Sequence, residues 1–353
     1  MARLPRKIWI AYAVIAVVLL ILPLVLGQSF GRAWVRTLDL ALLYVMLALG
    51  LNVVIGYAGL LDLGYIAFYA VGAYLYAILA SPHFDLHWPF WVLLPMGAGL
   101  AAVFGVLLGA PTLKLRGDYL AIVTLVFCEI VRIFMVNLSK PPINLTNGPM
   151  GINLVDPVRL GDVSLAKNSQ LAALDFAGVH KYYYLFLLLA LAIVFVSIRL
   201  EDSRIGRAWM AIREDEIAAK AMGINTRNVK LLAFAMGASF GGVAGGLFAG
   251  FQGFISPESF TLWESILVLC MVVLGGMGHI PGVVLGALLL VVFPEALRHT
   301  VVPVQMALLG EVKVSPEVLR MLLFGVGLIV VMRWRPAGLW PSAAHRREFA
   351  NAA

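Results

Sequence analysis

Few side chains of this sequence are equipped for chemistry, and their spacing excludes most reactions. Glu129 and Arg132 stand three apart in "LVFCEIVRIF", Asp62 lies between Leu61 and Leu63, Glu264 follows Trp263, and His279 interrupts "LGGMGHIPG". No His, Cys, Asp and Glu spacing fits a metal site, and no nucleophile–base–acid set is evident. The phosphate-binding pattern G-x-x-x-x-G-K-[ST] is missing, and no Gly-Lys dipeptide occurs. The chain therefore lacks the usual ATP cradle. No cofactor is expected, and Cys128 and Cys270, each in an apolar run, read as packing residues.

Charge concentrates instead in "GRAWMAIREDEIAAKAMGIN", residues 206–225. Ile205, Trp209, Ile212 and Ala219 recur at helical spacing, with Arg213, Glu214 and Asp215 between them. Such a helix suits a groove on a partner protein. A plain solvated loop is the alternative.

The elements that must position these residues are long and apolar. Of 353 residues 62% are hydrophobic and 13% charged, against about half and a quarter in soluble domains. That surface exceeds what one core hides, so lipid is the expected solvent and a soluble fold the weaker alternative. A membrane helix needs about 20 mostly apolar residues. About ten runs qualify: 8–26, 37–55, 61–80, 89–111, 119–137, 182–199, 231–251, 263–277, 281–297 and 318–333. They lack the alternation of barrel strands, and backbone groups in lipid must pair internally. The fold class is thus an all-α polytopic membrane protein. The first run reads as an uncleaved span rather than a signal peptide, because no small-x-small site follows it.

Basic residues cluster at the N-terminus (Arg3, Arg6, Lys7), in "TLKLRGD", at 199–230 and at the C-terminus. With ten spans these share one side, the cytoplasm by the positive-inside rule, and 138–181 lies outside. Both termini are then cytoplasmic. Arg32 and Arg36 are misfits, falling outside. Trp9, Trp34, Trp88, Trp91, Trp263, Trp334 and Trp340 sit near span ends, as interfacial anchors do. The net charge of +7 follows this orientation pattern and forms no nucleic-acid patch.

The block 206–225, with "KLLAFAMGASFGGVAGGLFAGFQGFISPESFTLWESILVLCMVVLGGMGHIPGVVLGALLL" after it, resembles LivM-type permease subunits of branched-chain amino acid ABC importers. So do "GYAGLLDLGYIAFYAVGAY", "LKLRGDYLAIVTLVFCEIVRI", "NLTNGPMGI" and "MRWRPAGLWP". The resemblance covers about residues 37–341 and implies a single permease domain over 1–341, followed by a polar tail at 342–353. It implies a bacterial inner membrane location, a LivH-type sister permease, two cytoplasmic ATPases and an external substrate-binding protein. In such importers a short permease helix, often marked E-A-A-x-x-x-G, enters a cleft on the ATPase. Ala218, Ala219 and Gly223 match that pattern; Ile217 stands at the Glu position, Glu216 one residue early, and the downstream Leu-Pro is absent. The resemblance thus assigns ATPase coupling to the 200–230 loop: Gly206, Arg207, Arg213, Glu214, Glu216, Ala218, Ala219 and Gly223. Gly223 is the expected helix stop, and Arg207, Arg213, Glu214 and Glu216 are expected to form rim charge pairs.

Two segments resemble broken helices framing a pathway: Gly59, Asp62 and Gly64 in the first, Gly275, Gly276 and Gly278 in the second. Close helix packing by small residues competes for the first. The second reads as a turn on the cytoplasmic side. Asp62 caps a helix end or faces a wet cavity. Glu129 and Arg132 share a helix face, neutralising each other near the outer interface or serving a gate. Glu264 is placed at the outer interface, and His279 reads as a turn residue rather than a metal ligand. The resemblance favours leucine, isoleucine and valine; similar permeases take urea, short amides or other neutral amino acids. An ion-coupled secondary transporter leaves the 200–230 loop unexplained, and a membrane enzyme lacks its catalytic cluster.

Overall fold

The computed structural model describes residues 6–113, 118–140, 144–160, 163–166, 169–171, 174–176 and 178–309. Beyond 309 it describes positions 318, 322, 325–327, 329, 330, 333–335 and 338–340. Apolar runs without strand alternation fold as helices: α1 (Arg6–Ser29), α2 (Arg32–Asn52), α3 (Ile66–Leu79), α4 (Phe90–Thr112) and α5 (Asp118–Asn137). They continue as α6 (Gly178–Glu201), the short α7 (Arg204–Glu214) and α8 (Glu216–Ala221), then α9 (Thr226–Gln252), α10 (Leu262–Gly275) and α11 (Ile280–Leu309). Among the described residues, 7 helices are long and apolar enough to cross a membrane, with Val17–Ser29 and Ile66–Leu79 as shorter apolar helices. Half of the expected span 318–333 lies outside the described residues, and the tail 342–353 entirely so.

Two elements differ from the hydropathy reading. The run 61–80 is helical only from Ile66. Its first residues are held by side chains: Asp62 Oδ1 accepts from Gly64 N at 2.8 Å and Thr124 Oγ1 from Leu63 N at 3.0 Å. Backbone donors satisfied this way need no helical ladder. The other difference lies just after α2, where the chain continues as a π-helical turn, Val53–Tyr57; such turns often mark functional sites.

The core is built around α2 and α9. From Val35 to Tyr57, α2 and the π turn after it are almost wholly buried, and α2 packs on α6, α9, α10 and α11. Helix α9 lies against α3 and α4 through glycines. A Cβ on Gly72 would stand 2.2 Å from Gly242 O, and one on Gly242 2.5 Å from Gly97 O. Small residues let helix backbones approach this closely, and contact is gained over the whole crossing. Arg36, a misfit for topology, is used inside the fold: its Nη2 donates to Gln252 Oε1 at 2.8 Å and its guanidinium lies over the Phe251 ring. The segment 138–181 holds short antiparallel pairings, and Ile152–Asn153 pairs with Phe254–Ile255.

Candidate functional site

At one end of the bundle, α7 and α8 form a shelf under the π turn of α2. The Ser203 hydroxyl caps α7, accepting from Gly206 N at 3.0 Å. Gly206 leaves room for the incoming chain, since a Cβ there would stand 2.1 Å from Leu200 O. Asp215 ends α7 and starts α8, its Oδ1 accepting from Ile217 N at 2.8 Å and Ala218 N at 3.0 Å. This is N-capping by a carboxylate, which also meets the positive end of the helix. Helix α8 stops at Gly223, with φ of +84°. Ile224 N donates to Ala219 O and Gly223 N to Lys220 O, each at 3.1 Å. That pair of bonds is a Schellman motif, which glycine suits because it has no Cβ.

The apolar stripe read from sequence turns inward except at Ile205, which stays exposed. Trp209, Ile212 and Ala219 are buried within the chain, and Trp209 Nε1 donates to Val229 O at 2.7 Å. The stripe seats the shelf on the first turns of α9, because a fully buried indole stabilises its own subunit before any partner arrives. A different set faces solvent. Glu214, Asp215, Ala218, Lys220, Ala221 and Gly223 are exposed, and Ile217 and Met222 are 74% and 84% exposed. Arg207 is exposed and donates to Asp202 O, while Glu216 bonds Lys230 Nζ at 2.7 Å.

Arg213 points into the molecule. Its Nη1 donates to Gly56 O, in the π turn, at 2.6 Å. A Cβ on Gly59, where φ is +68°, would come within 2.8 Å of Arg213 Cγ, and one on Gly278 within 3.3 Å of Arg213 Nη1. Asn52 Oδ1 accepts from Gly278 N at 2.8 Å. The π turn, the shelf and the turn between α10 and α11 therefore meet at Arg213 and Asn52. Composition gave no sign of Asn52 except that it is an amide inside an apolar run.

The second glycine-rich segment is a tight turn. Gly276 and Gly278 adopt φ of +117° and +79°, and a Cβ on Gly275 would stand 2.3 Å from Gly282 O. Leu339 N and Trp340 N donate to Leu274 O and Gly275 O at 2.8 and 3.1 Å, so the chain near 340 caps the end of α10. His279 belongs to this turn, its ring 5.9 Å from that of Trp340. The first segment is both broken and tightly packed. Ser265 Oγ donates to Leu63 O at 2.6 Å, and a Cβ on Gly64 would meet Thr124 O at 2.1 Å. Asp62 is buried and caps its own turn, and its Oδ2 has no hydrogen-bond partner among the described residues.

At the opposite end, Arg132 donates to Glu129 through Nε and Nη2 and to Glu258 Oε1 through Nη1 at 3.2 Å. The pair thus reaches a second element, the turn Pro257–Ser259. Glu264 Oε2 accepts from Tyr44 Oη at 2.6 Å. These groups do not join the shelf. Among the described residues, no three His, Cys, Asp or Glu side chains converge as for a metal ion.

The family described as "Branched-chain amino acid transport system / permease component" matches residues 33–332. The chain is 42% identical over 350 residues to the high-affinity branched-chain amino acid transport system permease protein LivM of Escherichia coli (strain K12), covering 96% of this chain and 77% of that protein. It is 43% identical over 324 residues to LivM of Salmonella typhimurium, covering 88% and 71% respectively. A more distant likeness, 27% over 257 residues, joins it to the LivH permease of the same organism, covering 70% and 79%. No solved structure matches.

Proposed function

The chain belongs to the branched-chain amino acid transport permease family, and on that premise we infer that it is the membrane permease subunit of an ABC importer for leucine, isoleucine and valine. The observation that carries this is the end-to-end likeness to LivM, over 96% of the chain. It includes the α7–α8 shelf and both glycine-rich segments.

In this reading the chain forms one permease domain with ten spans, the tenth at 318–333, and both termini in the cytoplasm. It pairs with a LivH-type sister permease in the bacterial inner membrane. A substrate-binding protein delivers the amino acid from outside, next to 138–181. Two cytoplasmic ATPases supply the energy; this chain has no Gly-Lys dipeptide from which to build an ATP cradle. The shelf docks one ATPase, and its exposed face suits that role. Ile217, Ala218, Met222 and Gly223 present a small apolar patch, with Glu214, Glu216 and Lys220 at its edge. Apolar centres carry affinity, and rim charges set orientation and encounter rate. Ala219 and Gly206 serve from inside, allowing the shelf to pack. The broken segment around Gly59, Asp62 and Gly64 and the turn at Gly275, Gly276 and Gly278 frame the pathway, since irregular backbone at membrane depth needs protein or a cavity around it.

The test is uptake of labelled leucine and labelled urea by right-side-out membrane vesicles that carry the complete complex, hold ATP inside and receive the binding protein outside. Leucine uptake that urea does not compete with supports the reading. Urea uptake without leucine uptake overturns the substrate.

A further inference from the structure

Docking an ATPase and moving a pathway are separate functions, and the shelf divides them between two faces. The exposed face holds Ile217, Ala218, Met222 and Gly223. The inner face holds Arg213. We propose that Arg213 is a positioning residue that transmits displacement of the shelf to the two glycine-rich segments, rather than a residue that holds the ATPase.

The geometry carries this. Arg213 is the last-turn cation of α7, one residue from the exposed Glu214. Its guanidinium donates to Gly56 O at 2.6 Å, across 157 residues of sequence. A π turn carries weaker, longer-ring bonds than an α turn, and an outside donor on one of its carbonyls stabilises that unusual winding. The stem of Arg213 covers Gly59, and its head abuts Gly278. Gly278 N is in turn held by Asn52 Oδ1, one residue before the π turn begins. Three elements thus share one joint with no slack: a Cβ on Gly56 would stand 2.2 Å from Asn52 Oδ1 and 2.6 Å from Gly278 N. A joint without slack moves as a unit, because packed interiors transmit displacement rather than absorb it. Any shift of α7 toward or away from the bundle therefore pulls on the winding of α2 at Gly56 and on the α10–α11 turn together. From Gly59 the chain leads directly to Leu63, whose N–H is bonded to Thr124 of α5 and whose carbonyl is bonded to Ser265 of α10, so the displacement reaches the broken segment.

This rests on the docking reading above, so the experiment separates the two. In the complete complex, with Cys128 and Cys270 replaced by Ala, Leu61→Cys serves as reporter; Leu61 lies in the broken segment and is exposed. Three quantities are read: co-purification of the ATPases, the rate of maleimide labelling at 61 with and without ATP, and hydrolysis with and without the loaded binding protein. For Arg213→Ala we expect co-purification at the parental level, loss of the ATP-dependent change at 61, and a fall of about tenfold in stimulated hydrolysis, within the span of about 5–150-fold for coupling between sites. Arg213→Lys keeps one donor without the fork and restores part of the response. Gly59→Ala attacks the joint from the opposite side, leaving the sequence of α7 unaltered while its Cβ displaces the Arg213 stem, and gives the phenotype of Arg213→Ala. Parental responses in both Arg213→Ala and Gly59→Ala overturn the proposal. So does loss of the ATPases from both, which makes the joint a structural support of docking. A parental complex that holds its ATPases but shows no ATP response at 61 overturns this inference alone, whereas parental chain that does not co-purify with the ATPases overturns the docking reading and this inference with it.

Discussion

Replacing Trp209 by Ala should release the α7–α8 shelf from the bundle while leaving the spans intact. The indole is fully buried, and its Nε1–H bonds Val229 O at 2.7 Å. A buried Trp removes about 200 Å² from water, worth about 5 kcal/mol at about 25 cal/mol per Å². Measured Trp→Ala losses of about 3–5 kcal/mol include partial relaxation of the site, so about 4 kcal/mol is the working figure. The shelf is otherwise held by Ile212, Ala219, the Arg213 bond and the Lys230–Glu216 pair, in which Lys230 is buried and Glu216 half-buried. A loss of about 4 kcal/mol raises the open population of the shelf about a thousandfold, at about 1.4 kcal/mol per factor of ten. Trp209→Phe keeps most of the ring and loses one hydrogen bond, about 1 kcal/mol. It should raise opening less than about tenfold. The assay is hydrogen exchange in detergent, comparing amides of 204–222 with those of α2 and α9. A change of less than about threefold in 204–222 for Trp209→Ala, or an equal loss of protection in α2 and α9, would refute this assignment of the indole.

Other consequences are as direct. Gly72→Val should lower the thermal midpoint or prevent accumulation, because its side chain would meet Gly242 O and overpacking costs about 1–3 kcal/mol or more; size-exclusion after heating reads this. With Cys128 and Cys270 removed, an impermeant thiol reagent on intact cells should label Ser169→Cys and spare Met222→Cys; the reverse pattern inverts the proposed topology. The His87 imidazole is bonded to Asp156 Oδ2, and more weakly to Asp85, which raises its pKa. A raised folded pKa gives stabilisation that is complete below about 6.5 and lost as pH rises through the higher folded value. Exchange protection at 81–88 should therefore decline with rising pH above that point, and His87→Gln should abolish the step.

The sequence was most informative where one physical pattern decides the outcome. The run 89–111 becomes Phe90–Thr112 and 119–137 becomes Asp118–Asn137, because length and apolarity leave only a helix. The stop at Gly223 was legible because a glycine after a helical run suits the left-handed cap. What hydropathy missed depends on partners distant in sequence. The run 61–80 is only partly helical because Thr124 and Ser265 take its backbone groups. Of the stripe Ile205, Trp209, Ile212 and Ala219, the last three share a buried face and Ile205 does not, and periodicity does not say whether a face meets a partner or its own subunit. Arg213 looked like a rim charge beside Glu214, and only the fold brings Gly56 within its reach.

The central claim is that this permease is driven from outside itself through the exposed face of α8. Gly223 tests it most directly, since its position is solvent-exposed and a Cβ there meets nothing within 4 Å in the subunit. Gly223→Asn tolerates the left-handed conformation, whereas Gly223→Trp adds bulk toward a docked partner as well as backbone strain of about 1–2 kcal/mol. Measured together, ATPase co-purification and substrate-stimulated hydrolysis should stay near parental for Gly223→Asn and collapse for Gly223→Trp, with insertion into the membrane unchanged. Parental values for Gly223→Trp in both would contradict the account and leave α7 and α8 as a surface loop.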